Sequence, residues 1–421
     1  MRIAIIGSGI SGLVCAYILS KQHDVTIFEA DDRLGGHTHT VRTPSGELVD
    51  TGFIVFNYAN YPNFAALLAE LGVPAQPTSM SFSSTCEVTG FEYSTASLNR
   101  MFAQRKNIFN LTLYSMILGI LRFNRDCIKA LDNLDDSTTV REFISQHGYN
   151  SSFVKYFLYP ISTALWSCPQ SNIEDFPMKF ILEFYRHHGM HKLLNQPGWH
   201  VIQGGSFHYI ERMTSQWKAT VRLSTPIKSV ERYEACVVIH ADNLKEQFDE
   251  VIFACHSDQA LQILQDKSTQ NERALLTAFP YTRNTVVLHN DTRVLPNNQR
   301  AWSAWNSRIE KVPASQAKVT YNMNILQGIH TPETHCVSLN LLDRIDSNKV
   351  IRPLQYDHPI YNRRRSEVQK RHGEVIRRNR TSFCGAYWGN GFHEAGVCSA
   401  LKVCDAFGLL PAWAQRPNWS S

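Results

Sequence analysis

The chain opens on a short apolar run, "RIAII" (Arg2 to Ile6), followed by "GSGISG" and by "LVCAYILSK", whose apolar positions fit a helix packed on a sheet. "HDVTIFEA" then predicts a second strand, rich in Val, Ile, Thr and Phe, with Glu29 near its end. Strand, glycine turn, helix and strand make the start of a βαβ unit. From about Thr95 to Leu193 the pattern shifts to long stretches of helical spacing, which puts a domain boundary near residue 90. Strand-like text returns in "ATVRLSTPIKSVERY", "ACVVIHA" and "DEVIFACH", and a mixed segment runs from about 266 to 380. Last comes "FCGAYWGNGFHEAG" (Phe383 to Gly396), with four glycines and four aromatics and no clear period.

A chain of 421 residues is long for one core, so two interleaved domains are expected. The longest apolar run, Ile108 to Leu121, is too short to span a bilayer and reads as a helix that is either buried or lies on a membrane surface. Ten cysteines without a C-x-x-C pair fit buried thiols in a reducing compartment. With a strand starting at the first residues, no secretion signal is expected and a cytoplasmic location is the default. Net charge is only +5, so the basic cluster from Asn362 to Arg380 reads as a salt-bridged solvated face or a contact for an anionic partner. Nothing accompanies it that would recognise nucleic acid.

Gly7, Gly9 and Gly12 give G-x-G-x-x-G between a strand and a helix, with Glu29 following 22 residues after the first glycine. Gly7 permits the tight turn, Gly9 lets a pyrophosphate approach the backbone, and Gly12 allows close packing of the helix; Ser11 lies in the same first turn. An acid at position 29 suits an unphosphorylated ribose, which disfavours NADP and leaves NAD and FAD. Arg33, Gly35, Gly36 and His37 of "RLGGH" follow at once. A second glycine pair with a cation suits a longer cofactor laid across the sheet.

These segments, with "VDTGF" (Val49 to Phe53), resemble the N-terminal part of the flavin-containing amine oxidase and phytoene desaturase superfamily. "GWHVIQGGSFHYIERM", "VRLSTPIKSV" and "FDEVIFACHSDQAL" resemble its middle segments, and the glycine-rich stretch at Phe383 its C-terminal flavin segment. The text is most similar to a bacterial branch usually labelled NAD/FAD-binding or amine oxidase-like proteins. The resemblance implies an α/β fold in which a Rossmann-like FAD domain (1–90, 195–265 and 381–421) is interleaved with a helix-rich α+β substrate domain (91–194 and 266–380). It further implies that Ile227 lies near the adenine and that Gly385, Gly391, Ala395, Gly396 and Val397 pass the cofactor. Tyr387, Trp388, His393 and Glu394 are then candidates to line the site, the last two as proton carriers by position.

Two departures narrow the chemistry. Many amine oxidases place a Lys on a strand of the substrate domain, but "YTRNTVVLHND" has none, and the next lysines are Lys311 and Lys318. The family's motif for covalent attachment is also absent, since Cys384 stands in another context, so noncovalent FAD is expected. The resemblance then implies a desaturase or isomerase acting on a fatty acyl or isoprenoid lipid by hydride transfer to flavin N5, with contact to a membrane surface left open. An amine or porphyrinogen oxidase is the first alternative. A noncatalytic lipid carrier on the same fold, like the GDP dissociation inhibitors, is the second. His187, His188 and His191 form an incomplete ligand set, as do His37 and His39, so no metal is expected.

Overall fold

The computed structural model describes residues 1–131, 134–135, 137–190, 197–311, 316–360, 362 and 364–415. In chain order the elements that shape the site begin with strand β1 (Arg2–Ile6), helix α1 (Ile10–Leu19), strand β2 (Asp24–Phe28) and helix α2 (Pro62–Glu70). Strands β3 (Phe82–Cys86) and β4 (Glu92–Ser94) lead into helix α3 (Leu111–Ala130), and later come β5 (Thr220–Arg222) and β6 (Glu250–Phe253). Strands β7 (Tyr281–His289), β8 (Trp305–Ile309), β9 (Val319–Asn322), β10 (Cys336–Leu339) and β11 (Val350–Pro359) precede β12 (Thr381–Phe383) and helix α4 (His393–Ala406).

Five strands form a parallel sheet in the order β5-β2-β1-β6-β12. Its central strands are buried on both faces, which is why Ile3, Ala4, Ile5, Val251, Ile252 and Phe253 read as unbroken apolar runs and not as an alternating pattern. α1 is buried along its whole length, pressed between this sheet and α4. An antiparallel meander (Ser229–Arg232, Val237–Ala241, Leu244–Phe248) covers one side through Ile227, Val230, Ile239 and Phe248. The fold is thus α/β, as the glycine turn and its flanking strands predict.

The second unit is built on a seven-stranded sheet, β11-β7-β10-β9-β8-β3-β4, antiparallel except where β8 meets β3. It takes in Phe82–Cys86, ahead of the boundary expected near residue 90. The helical text from 98 to 187 packs on this sheet through Phe143, Phe153, Phe176 and Tyr185, all buried. Each such side chain contributes on the order of 1.5–3 kcal/mol.

The basic cluster is partly built into the fold, while Arg364, Lys370, Arg377 and Arg378 are exposed. Arg365 is 4% exposed, stacks its guanidinium over Phe180 at 4.0 Å and donates to the carbonyl of Gly389. Arg371 pairs with Glu374, and Arg377 with Glu250. Arg380 donates to the carbonyls of Glu234 and Asp249. These side chains brace the approach to β12; Arg371 and Arg377 fit the expected salt-bridged face, whereas Arg365 is buried.

Candidate active site

In an open parallel sheet the ligand crevice lies outside the carboxyl ends of the strands. Here β1 ends in Gly7, whose φ of +100° suits only glycine, and a β-carbon there would meet the backbone of Ala254 and Cys255 at 2.9 Å. A β-carbon on Gly12 would stand 2.0 Å from the Gly7 carbonyl oxygen, so α1 seats against the turn only because position 12 is bare. At Gly9 nothing lies within 4 Å of the missing side chain, and the position is extended, with φ −61° and ψ 175°. The bare backbone of Gly9 faces open space at the N-terminus of α1.

The "RLGGH" loop folds back over this turn: a β-carbon on Gly36 would come within 3.1 Å of the Gly9 Cα, and the Gly35 amide donates to the Ser8 carbonyl at 3.0 Å. Arg33 closes the loop by donating to the carbonyls of Gly36 (2.8 Å) and Thr38 (3.1 Å), so its charge is held beside the two glycine turns. Glu29 accepts the amide of Ser8 at 2.8 Å and that of Asp31 at 3.0 Å. The amides of Ser224 and Thr225 bond the carbonyls of Asp31 and Glu29, which brings the segment leading to Ile227 alongside.

The C-terminal segment supplies a second wall. The Ser11 hydroxyl donates to the Gly396 carbonyl at 2.9 Å, and a β-carbon on Gly396 would lie 2.6 Å from the Ile10 side chain. Neither α1 nor α4 has a side-chain cap, so two helix N-termini with free amides converge beside Gly9 and Gly36. Gly391 takes φ +80°, while Ala395 and Val397 lie on the first turns of α4. This bare cradle, with an acid placed for a ribose and two positive helix ends placed for phosphates, fits a flavin dinucleotide.

The four proposed site-lining residues diverge. Glu394 turns onto α2, where it accepts the amides of Asn63 (3.0 Å) and Phe64 (2.9 Å) and caps that helix. Burial raises its pKa. His393 lies flat on Phe53 with its Nε2 within reach of the Thr38 hydroxyl (3.0 Å) and the Tyr209 hydroxyl (3.2 Å), and burial lowers its pKa to about 3. Trp388 stacks on His372 at 4.2 Å, and Tyr387 packs on Phe279.

Sequence reasoning named His37 but missed the groups it meets between the two sheets. His37 stacks on His256 (5.9 Å) and on His358 (5.4 Å), and meets the edge of Tyr356 (4.9 Å). His256 stacks on Tyr281, and His39 bonds the Tyr356 hydroxyl at 3.3 Å. Burial first, and neighbouring imidazoles second, push His37 well below the usual range; burial holds His358 and His39 at about 4 and also lowers His256. The cluster stays uncharged at neutral pH. It comes from three separate segments, and no spacing in the sequence links them.

His188 serves packing, lying on Phe184 at 3.9 Å, whereas His187 is exposed and His191 falls outside the described residues. Among the described residues no three His, Cys, Asp or Glu side chains are arranged to hold a metal ion. Lys318 pairs with Glu310 at 3.0 Å, and Cys384 lies in the core 3.9 Å from Cys15. No described helix is long and apolar enough to cross a membrane.

The family model described as flavin containing amine oxidoreductase matches residues 10–322, most of the chain. The chain belongs to this family. Within the flavin-containing amine oxidoreductases it is 36% identical over 74 residues to a 15-cis-phytoene desaturase of Synechococcus elongatus, covering 17% of this chain and 15% of that protein. It is 25% identical over 270 residues to AofH of Mycobacterium tuberculosis, a putative flavin-containing monoamine oxidase, covering 60% of this chain and 56% of that protein. The matched part thus spans little more than half of AofH and far less of the desaturase. The fold matches the crystal structure of a CLA-producing fatty acid isomerase from P. acnes with a TM-score of 0.70 at 14% identity, over 96% of this chain and 98% of that one. The family so described is one of flavin-containing oxidoreductases.

Proposed function

We propose that the protein binds FAD noncovalently and desaturates or isomerises a fatty acyl or isoprenoid chain. The observation that carries this reading is the uncharged lining of the crevice between the sheets. His37, His39, His256 and His358 are all held toward the neutral form there, and β7 brings Tyr281 in place of a lysine. A group of neutral imidazoles with a tyrosine in place of a lysine favours an apolar chain over a cationic amine.

Gly9, Gly36 and the first turns of α1 and α4 hold the pyrophosphate, Glu29 the ribose and Ile227 the adenine side. Bound flavin supplies a hydride acceptor, and orientation in a dry slot supplies most of the remaining rate. Glu394 is occupied as a helix cap, so the proton carrier is sought among the imidazoles, with His358 favoured because it stacks on His37 and bonds Asn284 of the neighbouring strand β7. The resemblance to a desaturase and the fold shared with a fatty acid isomerase support the lipid reading.

Anaerobic mixing of the flavin-loaded protein with fatty acids, isoprenoids, amines and porphyrinogens tests it. Bleaching by a lipid is expected; bleaching by an amine or a porphyrinogen alone transfers the protein to the oxidases. Failure to bind FAD at all would leave a lipid carrier.

A further inference from the structure

Helix α3 is apolar on two opposite faces. Leu113, Met116, Phe123 and Cys127 are buried against the second domain, and Gly119 lets the helix sit close to Phe153. On the other side Leu111, Tyr114, Leu118, Leu121 and Ile128 are all exposed. The first four recur every three or four residues and Ile128 follows two turns on, so they form one stripe along the helix. Phe109, 88% exposed, and Leu111, 82% exposed, stand at its N-terminal end. Among the described residues fourteen large apolar side chains are exposed, and eight of them lie between Leu98 and Ile128. That concentration far exceeds the singly scattered apolar residues of an ordinary surface.

Charge selects the occupant. Between Leu98 and Ala130 stand Arg100, Arg105, Lys106, Arg122, Arg125 and Lys129, with Asp126 as the sole acid. A second copy of this face would bring like charges together, whereas anionic headgroups would neutralise them. Beside the stripe a cavity of about 540 Å³ is lined by Phe91, Lys106, Asn107, Phe109, Leu111 and Tyr156. Its wall is shared with the most exposed side chains of the patch.

We infer that this face docks the protein on an anionic lipid surface, with Phe109, Leu111 and the α3 stripe entering the headgroup boundary and the flanking cations resting on it. The arrangement is that of a helix lying in the interface plane. Docking is read without turnover, so it stands or falls apart from the assignment of the reaction.

The test is sedimentation of the full-length, flavin-loaded protein with phosphatidylglycerol-containing vesicles and with pure phosphatidylcholine vesicles, at low and high salt. Preferential, salt-sensitive binding to the anionic vesicles is expected. Phe109→Ser combined with Leu111→Ser is expected to weaken it by about tenfold or more, with melting temperature and flavin absorbance unchanged. Lys106→Glu is expected to weaken it by at least about fivefold. Absence of binding, equal binding to neutral vesicles, or full binding by the double variant overturns the proposal. So does a stable dimer that the double variant dissociates while no vesicle is bound.

Discussion

Ser8 gives both its amide (2.8 Å) and its hydroxyl (2.5 Å) to one carboxylate oxygen of Glu29. The acid expected to hold a ribose therefore also fixes the first glycine turn before any cofactor arrives. Hydrogen bonds to a charged group contribute about 1.5–3 kcal/mol each. Glu29→Ala is expected to weaken FAD binding by roughly 10- to 100-fold and to lower the melting temperature of the apoprotein. Fluorescence titration with FAD and thermal melts check both; unchanged affinity would remove Glu29 from the cofactor site.

Gly9 and Gly12 separate cofactor binding from folding. Gly9→Ala places its methyl in open space at an ordinary φ, so the apoprotein is expected to melt normally while flavin affinity falls about tenfold or more. Gly12→Ala drives a methyl into the Gly7 carbonyl, and a stability loss of about 1–3 kcal/mol is expected even without flavin. Denaturant melts of both apoproteins decide the matter. Equal stability of the two variants contradicts it.

Glu394 is expected to behave as a helix cap. Glu394→Gln keeps one acceptor for the α2 amides, so it should cost about 1–2 kcal/mol of stability and leave single-turnover flavin reduction within a few-fold of the parent. A loss of a hundredfold or more in flavin reduction at unchanged melting temperature would instead make Glu394 a proton carrier.

Buried imidazoles set the acid limit. His358 and His39 titrate at about 4 and His393 at about 3, below the ordinary 6.5, so the unfolded chain takes up protons that the folded chain refuses. Stability is therefore full above about pH 6.5 and falls as pH drops toward 4. Asp50, raised by burial to about 6 from 3.8, works in the opposite direction over part of that window. The imidazoles outnumber it, and His188, His289 and His372 are lowered as well. Melting temperature is expected to fall from pH 7 to pH 5, with a shallower slope in His358→Gln. A flat profile refutes the assignment.

Noncovalent attachment has a direct readout. Cys384 is buried 3.9 Å from Cys15, and Cys398 lies against Glu394, so neither thiol is offered to the crevice. Acid precipitation is expected to leave a yellow supernatant and a colourless pellet.

The cofactor half of the site was legible because each of its demands is local. Gly7, Gly9, Gly12 and Glu29 answer to one turn, one helix start and one strand end, all within 30 residues. Nothing local announces His256 or His358, since their meeting with His37 depends on how β6 and β11 are brought together from distant parts of the chain. Glu394 shows the reverse case: its place in a flavin-like segment points to chemistry, and only the fold shows that its oxygens accept two amides of α2. The run at Ile108 to Leu121 was read as either buried or interfacial. Helix α3 buries one apolar face against the second domain and exposes the other.

The bond from the Ser11 hydroxyl to the Gly396 carbonyl joins positions 385 residues apart. On the ribosome the second wall emerges only after some 380 residues have followed the glycine turn. Throughout synthesis the nascent parallel sheet lacks β12 along one margin, and α1 lacks the helix that covers it. Closure of the candidate cradle is thereby tied to synthesis of β12 and α4, and a product truncated before residue 381 would present an open sheet edge and a bare apolar helix to the chaperones that survey such surfaces.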